Sequence, residues 1–311
     1  REGLYNQKRT PNEKSSPQNH SPSVALLHPA LFRSSQVFSE LLHGIEDGAA
    51  RYNLQLRLMV NDPSPAFGNF SQMYFSDPQL YPDGVLVVGH REDIPLPKTI
   101  YELNIPRVLV GRTSSDQSHS AVGPNEEEIA YRAAEYLINM GHEAIAFIGG
   151  DLDFSYTHDR LRGYQRALME KAGKILDRWV ALGNGEMAAK TILEKSPEVT
   201  AVIFINDAYA EEGLPVFKSS GRSIPDDLSV ISFDDTQFAQ NHDPPLTSIA
   251  YPRYEEGFHA IKILVEMINN PGIRCYQVIY NAELIQRDSC KPPANIPNHS
   301  SNILKKKTQR R

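Results

Sequence analysis

The stretch SVISFDDTQFAQNHDPPLTSI, Ser229–Ile249, decides which fold the chain can adopt. A short apolar strand, Val230–Phe233, runs directly into two adjacent carboxylates, Asp234 and Asp235, and the loop that follows ends in Pro-Pro-Leu-Thr. Open α/β sheets bind ligands at the carboxyl ends of their strands, so this order predicts that Asp234 faces a ligand. The residues fit a second interpretation equally well, in which Asp234 caps a following turn or helix.

A first set of alternating strands and helices is predicted in the amino-terminal third of the chain. The strands are Ser23–Leu27, Leu54–Val60, Val85–Val88 and Val108–Val110. Between the first two strands, apolar residues recur at helical spacing and predict an amphipathic helix over Val37–Tyr52. Short apolar strands with helices between them predict a parallel sheet that is covered on both faces.

A second set of alternating elements begins at Asn125. This residue precedes three glutamates and predicts a helix start, because an amide side chain caps the first turn and acidic side chains favour its positive end. The strands predicted after this helix are Ala144–Ile148, Val180–Leu182, Ala201–Ile205 and Val230–Phe233. The helices predicted between them are Asp159–Ala172, Glu186–Glu194 and Val216–Ser220. Pro215 does not fit deep inside a regular helix, so the last helix is expected to be short or kinked.

One long amphipathic helix and a last strand, Cys275–Tyr280, come after the second set is complete. The simplest placement returns the helix to the first lobe and sends the strand to the second. We therefore predict an α/β protein of two doubly wound, Rossmann-like lobes that are joined by three crossovers, with a cleft between their strand ends. The predicted ranges are 1–22 for a linker, 23–121 with 249–274 for the amino-terminal lobe, 122–248 with 275–290 for the carboxy-terminal lobe, and 291–311 for a disordered tail.

The composition is that of a globular chain without a metal or membrane signature. Of the 311 residues, 40% are hydrophobic and 23% are charged, which is enough apolar material for a packed core. The net charge of -6 argues against a basic field that grips nucleic acid. No apolar run of about 18 residues is present, so no transmembrane helix is expected. Cys275 and Cys290 lack metal-ligand spacing and indicate no disulfide framework, which fits the reducing cytoplasm.

Seven segments in one order resemble the effector-binding core of the LacI/GalR family of transcription regulators. They are HGIEDGAARYNLQL (His43–Leu56), PDGVLVVG (Pro82–Gly89), IPRVLVGR (Ile105–Arg112), AAEYLINMGHEAIAFIGG (Ala133–Gly150), RLRGYQRAL (Arg160–Leu168), AVIFINDAYA (Ala201–Ala210) and SIPDDLSVISFDD (Ser223–Asp235). The strand that ends in Asp-Asp and the later Pro-Pro-Leu-Thr are both typical of that family. The resemblance covers roughly Ser23 to Ser289 and implies a fold like that of type I periplasmic binding proteins.

The resemblance implies a small polar effector such as a sugar, held in the cleft without catalysis or a cofactor. Arginine offers a planar set of donors and aspartate offers acceptors, and sugar hydroxyls need both. By the resemblance, Arg160, Asn206 and Asp234 contact the effector. Phe38 either packs on the effector or belongs to the core, and Asp207 either contacts the effector or holds its own loop. Further candidates from loops around the cleft are Gln36, Arg112, Tyr156 and His158.

The resemblance also implies a homodimer that controls operator DNA through a separate DNA-binding module, which we expect ahead of Arg1. The opening REGLY, Arg1–Tyr5, is similar to the end of a GntR-type winged helix, although a plain linker fits it equally well. An extracytoplasmic sugar-binding protein of the same fold is the alternative function. The family usually has an acidic residue directly before Asn125 and a small residue three positions after it. This chain has Pro124 and Glu128 at those positions, so the effector of a family member cannot be assigned to it.

One segment fits a different class of protein. Gly183–Ala188 reads G-x-G-x-x-A between a short strand and a helix, and Asp207 ends the next strand, which is the outline of a dinucleotide-binding fingerprint. A dinucleotide-dependent enzyme is the less favoured hypothesis, because the preceding strand is short and the surrounding segments match the regulator family. The tail ends in the basic run KKKTQRR, which is interpreted as a solvated segment rather than a nucleic-acid contact.

Overall fold

The computed structural model describes residues 21–29, 36–61, 74–89, 96–112, 119–272 and 275–294. The strands within these residues are β1 (Ser23–His28), β2 (Gln55–Val60), β3 (Gly84–Val88), β4 (Arg107–Val110), β5 (Ser120–Pro124), β6 (Ile145–Gly149), β7 (Val180–Leu182), β8 (Ala201–Phe204), β9 (Ser229–Phe233), β10 (Thr247–Ala250), β11 (Gln277–Tyr280) and β12 (Glu283–Ile285). The α-helices are α1 (Gln36–Arg51), α2 (Lys98–Glu102), α3 (Glu126–Asn139), α4 (Ser155–Ala167), α5 (Gly185–Lys195), α6 (Asp207–Ser219), α7 (Gln237–Asn241) and α8 (Arg253–Asn269).

The described strands form two six-stranded sheets, and each sheet is the centre of one lobe. In the first lobe the strand order is β11-β5-β4-β3-β1-β2, and all neighbours run parallel. In the second lobe the order is β12-β10-β9-β8-β6-β7, and the edge pair β10 and β12 is antiparallel. The inner strands β1, β3, β6, β8 and β9 are buried along their whole length, because helices cover both faces of a parallel sheet. The predicted pair of doubly wound lobes is confirmed.

The chain passes between the two lobes at three places, as predicted. The connections run from β5 to α3, from β10 to α8, and from β11 to β12. The second connection returns α8 to the first lobe, where its buried residues share a core with those of α1. Three connecting segments therefore link the lobes, and α8 begins at the end of the second one.

The last predicted strand lies in the other lobe from the one expected. Cys275–Tyr280 contains β11, which pairs in parallel with β5 of the first sheet and places Gln277 opposite Ala121. The prediction that this strand joins the second lobe is therefore wrong. β5, β10 and β12 were not predicted, and the second sheet ends in β10 and β12, which pair antiparallel. β11 and β12 lie at sheet edges and are only partly buried, so neither carries the continuous apolar run that marks an inner strand.

Two further features differ from the predictions. α6 extends over 13 residues with Pro215 inside it. Proline has no N–H group for the carbonyl four residues earlier in the helix. Pro215 lies on the exposed side of α6, where water can bond that carbonyl instead. The predicted disordered tail begins too early, because Lys291 donates its backbone N–H to Ser229 Oγ at 3.0 Å and its carbonyl accepts from His142 Nε2 at 3.0 Å. The rest of that tail, and the predicted linker up to residue 20, lie outside the described residues.

Glycines allow α8 to lie directly against α1. A Cβ atom added at Gly257 would lie 2.3 Å from the carbonyl oxygen of Leu41, and one at Gly44 would lie 1.9 Å from that of Tyr254. The two helices therefore touch through their backbones. This contact fixes the first turn of α8, which begins at Arg253 beside the crossover from the second lobe.

Gly257→Ala is expected to lower the free energy of unfolding by at least about 1 kcal/mol. Overpacking typically costs roughly 1–3 kcal/mol, and a clash with rigid backbone lies at or above the upper end of that range. The cost therefore exceeds the gain of about 1 kcal/mol in helix propensity. Gly272→Ala is the control, because a Cβ atom there meets nothing within 4 Å. Urea denaturation measures both variants, and an unchanged midpoint for Gly257→Ala would contradict this helix packing.

Candidate functional site

The two lobes meet around a cavity at the carboxyl ends of strands from both sheets. The first lobe contributes side chains of α1 and the residues at the ends of β3 and β4, and the second contributes α3, α4 and the residues after β8 and β9. The lining residues are Val37, Phe38, Leu41, Val88, Gly89, Val110, Gly111, Glu126, Tyr156, Arg160, Asn206, Asp234 and Arg253. Open α/β folds bind ligands at this end of their strands, so the cavity is the candidate site.

The two sides of the cavity differ in chemistry. The first lobe supplies an apolar wall, formed by Val37, Phe38, Leu41, Val88 and Val110. The second lobe supplies polar and charged groups, namely Glu126, Arg160, Asn206 and Asp234. Such a cavity suits a small molecule that has an apolar face and an edge of hydrogen-bonding groups.

Five of the nine predicted site residues line this cavity: Phe38, Tyr156, Arg160, Asn206 and Asp234. The others do not belong to its lining. Gln36 reaches across the cleft, where its Oε1 accepts a hydrogen bond from the backbone N–H of Gln237 at 3.0 Å. His158 lies on the exposed side of α4, and Arg112 directly follows the lining residue Gly111. Ligand contact stays a prediction for all nine, including Asp207.

Phe38 has the core role of the two that the sequence left open, and it also faces the cavity. Its side chain is 6% exposed and belongs to the core of the first lobe, where its ring lies 4.9 Å from that of His28. It also lines the cavity. The apolar wall of the cleft is therefore the inner edge of a packed core, which holds the phenyl ring in place.

Arg160 is buried, and its guanidinium group binds groups of the protein itself. Its Nε donates to Glu126 Oε2 at 2.7 Å and its Nη2 donates to Glu126 Oε1 at 2.9 Å, so the pair is bidentate. Nη2 also donates to the hydroxyl of Tyr251 at 2.9 Å, and Nη1 donates to the carbonyl of Ile205. Burial alone would lower the pKa of Arg160, but the Glu126 carboxylate raises it well above its ordinary value. The guanidinium group therefore stays charged.

Aromatic rings enclose the pair formed by Glu126 and Arg160. The guanidinium carbon lies 4.4 Å from the ring centre of Phe233 and 5.3 Å from that of Tyr156. The hydroxyl of Tyr251 donates to Glu126 Oε2 at 2.8 Å and so bonds to both members of the pair. Rings at these distances attract the cation and exclude water, so the pair is a fixed part of the second lobe.

Arg253, the first residue of α8, is a second buried cation at the cleft. Its Nη1 donates to Glu256 Oε2 at 3.0 Å, its Nη2 lies 3.6 Å from Asp234 Oδ1, and its guanidinium carbon lies 4.0 Å from the ring centre of Tyr251. Burial raises the pKa of Asp234, and the positive charges of Arg160 and Arg253 oppose that shift. Arg253 thus joins a helix of the first lobe to the end of β9 in the second.

The two adjacent carboxylates after β9 have different partners. Asp234 faces the cavity, whereas Asp235 Oδ1 lies 2.6 Å from Arg287 Nη1. Both residues have positive φ, 96° and 47°, a region that Asp tolerates better than most side chains. α7 begins after Thr236 without a side-chain cap, so among the described residues Asp234 does not cap that helix. Of the two interpretations of the sequence, the arrangement favours the ligand-facing one.

Asp207 holds the loop that carries Asp234. It is 1% exposed, and its Oδ2 accepts from the backbone N–H of Thr236 at 2.7 Å and from the hydroxyl of Thr236 at 2.8 Å. Its Oδ1 accepts from the hydroxyls of Ser232 and Ser248. Burial raises the pKa of Asp207 to about 6, although the hydrogen bonds from Ser232 and Thr236 act in the opposite direction. Of its two predicted roles, these contacts correspond to the one in which Asp207 holds its own loop.

Sequence reasoning missed two charged residues of the cleft, Glu126 and Arg253. Glu126 was interpreted as one of three acids in a first helical turn, yet it is 3% exposed. The signal that could have found it is helical periodicity, because Glu126 lies on the same face as the buried Ile129, Ala130 and Ala133. Arg253 has the same spacing from the buried residues Glu256, Gly257 and Ala260.

The glycine-rich segment before α5 does not offer a phosphate site. The backbone N–H of Gly185 donates to Glu212 Oε2 at 2.7 Å, and a Cβ atom at Gly185 would lie 2.3 Å from the carbonyl oxygen of Tyr209. A pyrophosphate on a helix N-terminus needs such an N–H group free, and the carboxylate would repel it. The glycine serves close packing of α5 against α6, so the dinucleotide hypothesis loses its support.

The described residues contain neither a cluster of metal ligands nor a membrane-spanning helix. No group of His, Cys, Asp and Glu side chains there is placed to hold a metal ion. No helix there is long and apolar enough to cross a membrane.

Comparison with known proteins identifies the family. A model of the periplasmic binding protein-like domain matches residues 134–290. The HTH-type transcriptional repressor CytR of Escherichia coli strain K12 is 30% identical over 283 residues, which are 88% of this chain and 80% of CytR. This chain belongs to the LacI family. The HTH-type transcriptional regulator CelR of Thermobifida fusca is 30% identical over 222 residues, which are 67% of this chain and 63% of CelR.

A solved structure of a transcriptional regulator shares the fold. A complex of the transcriptional regulator CelR with cellobiose has a TM-score of 0.80 and 26% identity, and the match covers 88% of this chain and 86% of that chain. The predicted LacI family membership and the fold are confirmed. The predicted GntR-type module depends on Arg1–Tyr5, which lies outside the described residues, and stays a prediction.

Asp207→Asn is expected to change how stability depends on pH. The pKa of Asp207 is near 3.9 in an unfolded chain and about 6 in the folded one, so the folded state holds the proton more tightly. Its stabilising contribution is complete below about pH 4 and is lost as the pH rises through 6. The wild type should lose on the order of 2–3 kcal/mol relative to Asp207→Asn over this range.

Urea denaturation from pH 4 to pH 7.5 measures this difference. Asp227→Asn is the control of opposite sign, because hydrogen bonds from Ser223 lower the pKa of the exposed Asp227. Stability from Asp227 is present at high pH and is lost as the pH falls. Parallel profiles for the wild type and Asp207→Asn would show that the environment of Asp207 is not as described.

Proposed function

We propose that this chain is the effector-binding and dimerisation core of a bacterial transcriptional regulator, and that its effector is a small polar molecule, specifically a sugar. The cavity between the strand ends of the two lobes supports this most directly, because it joins an apolar wall to a set of buried charged groups. The CelR relative, whose structure is described as a cellobiose complex, supports the choice of a sugar.

The two walls match the two sides of a sugar ring. The C–H face of a pyranose packs on aromatic and aliphatic side chains, and Phe38 offers such a surface. The hydroxyl edge needs donors and acceptors at fixed positions. Asn206 and Asp234 lie on the opposite wall, and Arg253 lies at the link between the lobes. The fixed rotamers of buried, bonded side chains reduce the entropy lost on binding.

Ligand binding would act by favouring one relative placement of the lobes. Two contacts already cross the cleft, from Gln36 to the backbone of Gln237 and from Arg253 to Asp234. A ligand that touches both walls stabilises this closed placement over an open one. In a homodimer, that shift would alter the spacing of two DNA-reading modules and so their fit to operator half-sites. The named relatives are transcriptional regulators, which favours this role, in the cytoplasm, over that of an extracytoplasmic binding protein.

A thermal-shift screen tests the proposed ligand class. Cellobiose, glucose, galactose and ribose are compared with NADH on the wild-type chain. At least one sugar should raise the midpoint of unfolding, because ligands that bind only the folded state stabilise it. A shift with NADH and none with any sugar would contradict the proposed function and support the alternative of a dinucleotide-dependent enzyme.

Asp234→Asn is expected to weaken binding of the best sugar roughly 10- to 100-fold, because a hydrogen bond to a charged group contributes about 1.5–3 kcal/mol. Asp235→Asn is the matched control, since the neighbouring carboxylate pairs with Arg287 and is not part of the cavity lining. Asn tolerates the positive φ at both positions. Isothermal titration calorimetry measures both, and equal affinity losses in the two variants would rule out Asp234 as a ligand contact.

A further inference from the structure

We propose that Glu126 makes the cleft selective for uncharged ligands, because it already occupies the cation that a carboxylate or phosphate would otherwise bind. This inference rests on the proposed sugar-binding function and adds the chemical class of the ligand. The ligand would be a neutral polyhydroxylated molecule, and sugar acids, sugar phosphates and nucleotides would be excluded.

The N–H groups of Arg160 that would bind an anion are already bonded within the protein. Arginine recognises carboxylate and phosphate groups by two parallel N–H bonds from one side of its fork. In this chain that side, Nε and Nη2, is bound by both oxygens of Glu126, and Nη1 donates to the carbonyl of Ile205. An anionic ligand would have to displace a buried carboxylate that also accepts a hydrogen bond from Tyr251.

The second cation that lines the cavity is also paired with carboxylates. The other buried cation, Arg253, has Glu256 at 3.0 Å and Asp234 at 3.6 Å. Both arginines that line the cavity therefore have carboxylate partners, Glu126 for Arg160 and Glu256 with Asp234 for Arg253. A further negative charge would lose its hydration without gaining an unpaired cation among the described residues, and such a loss is not offset by hydrogen bonds alone.

Neutral hydroxyl groups do not meet this barrier. A hydroxyl donates one hydrogen bond and accepts others, so it pairs with a carboxylate oxygen or an arginine N–H without changing the local charge. Both kinds of partner line the cavity. The Asp234 carboxylate offers acceptors, and Arg253 has a buried Nε that has no hydrogen-bond partner among the described residues.

The direct test compares neutral and anionic forms of one sugar on the full chain. The pairs are cellobiose with cellobionate, glucose with glucose 6-phosphate, and ribose with ribose 5-phosphate, each measured by isothermal titration calorimetry. The wild type should bind the neutral member of the best pair at least about 100-fold more tightly. In Glu126→Gln this ratio should fall about tenfold or more. Glutamine keeps the shape of the glutamate side chain, but it has no negative charge to neutralise Arg160.

Glu127→Gln is the matched control for this test. Glu127 is the next residue of α3, and it pairs with Arg162 and Arg166 rather than with a cleft residue. It should keep the wild-type ratio. A wild type that binds the anionic member as tightly as the neutral one, or a Glu126→Gln variant with an unchanged ratio, would overturn the proposal.

A second measurement does not need a sugar. Glu126→Ala leaves Arg160 buried without its carboxylate, so acetate should bind there and raise the midpoint of thermal unfolding by several degrees relative to chloride at equal ionic strength. The wild type and Glu127→Ala should show no such difference. Absence of an acetate effect in Glu126→Ala would show that Glu126 does not occupy an anion site of Arg160.

The two measurements separate failure of this inference from failure of the proposed function. If no sugar binds the wild type but acetate stabilises Glu126→Ala, the sugar-binding function fails and the occupied anion site stands. If sugars bind but neutral and anionic forms bind alike, the function stands and the selectivity proposal fails. If Glu126→Ala does not fold, the ratio of neutral to anionic affinity in Glu126→Gln decides alone, and an unchanged ratio there overturns the proposal.

Discussion

The bidentate pair between Glu126 and Arg160 is the interaction on which the cleft depends. It draws together α3, α4, the end of β8 at Ile205 and the crossover residue Tyr251. Loss of one member of a buried pair leaves an uncompensated charge, which typically costs about 3–5 kcal/mol. The strand ends that carry the other polar groups of the cavity are therefore held by a contact that does not tolerate partial removal. The pair also makes Arg160 part of the framework of the second lobe.

Arg253 extends this framework across the lobes. It begins α8, whose backbone lies directly on α1 through Gly257, and its guanidinium group reaches the carboxylate after β9. Movement of the lobes relative to each other must change this contact and the one between Gln36 and Gln237. The contact between Arg253 and Asp234 lies in the lining of the cavity, where the proposed ligand would touch both walls. The proposed site therefore offers a way for binding to alter the relative placement of the lobes.

Most of the fold could be predicted from sequence, because inner parallel strands are uninterrupted apolar runs and their helices have one buried stripe. The edge strand β12 could not be predicted and the edge strand β11 could not be placed, since partial burial gives them no such run. The strands β5 and β10 were also missed, because each is short and contains only one large aliphatic residue. The strand-end residues Asn206 and Asp234 were accessible to sequence reasoning for the same topological reason. Glu126 was not, because a glutamate in a first helical turn has an ordinary explanation. Asp207 shows a related limit, since an acid at a strand end can face a ligand or support the loop beside it.

The most direct test of this account is a crystal structure of the chain with the neutral sugar that stabilises it most. The account predicts that the ring lies between Phe38 and Asp234 while the bidentate contact of Glu126 with Arg160 stays intact. A sugar bound away from this cleft would contradict the site itself. A sugar that replaces Glu126 on the guanidinium group of Arg160 would contradict the role of that pair as a fixed part of the protein.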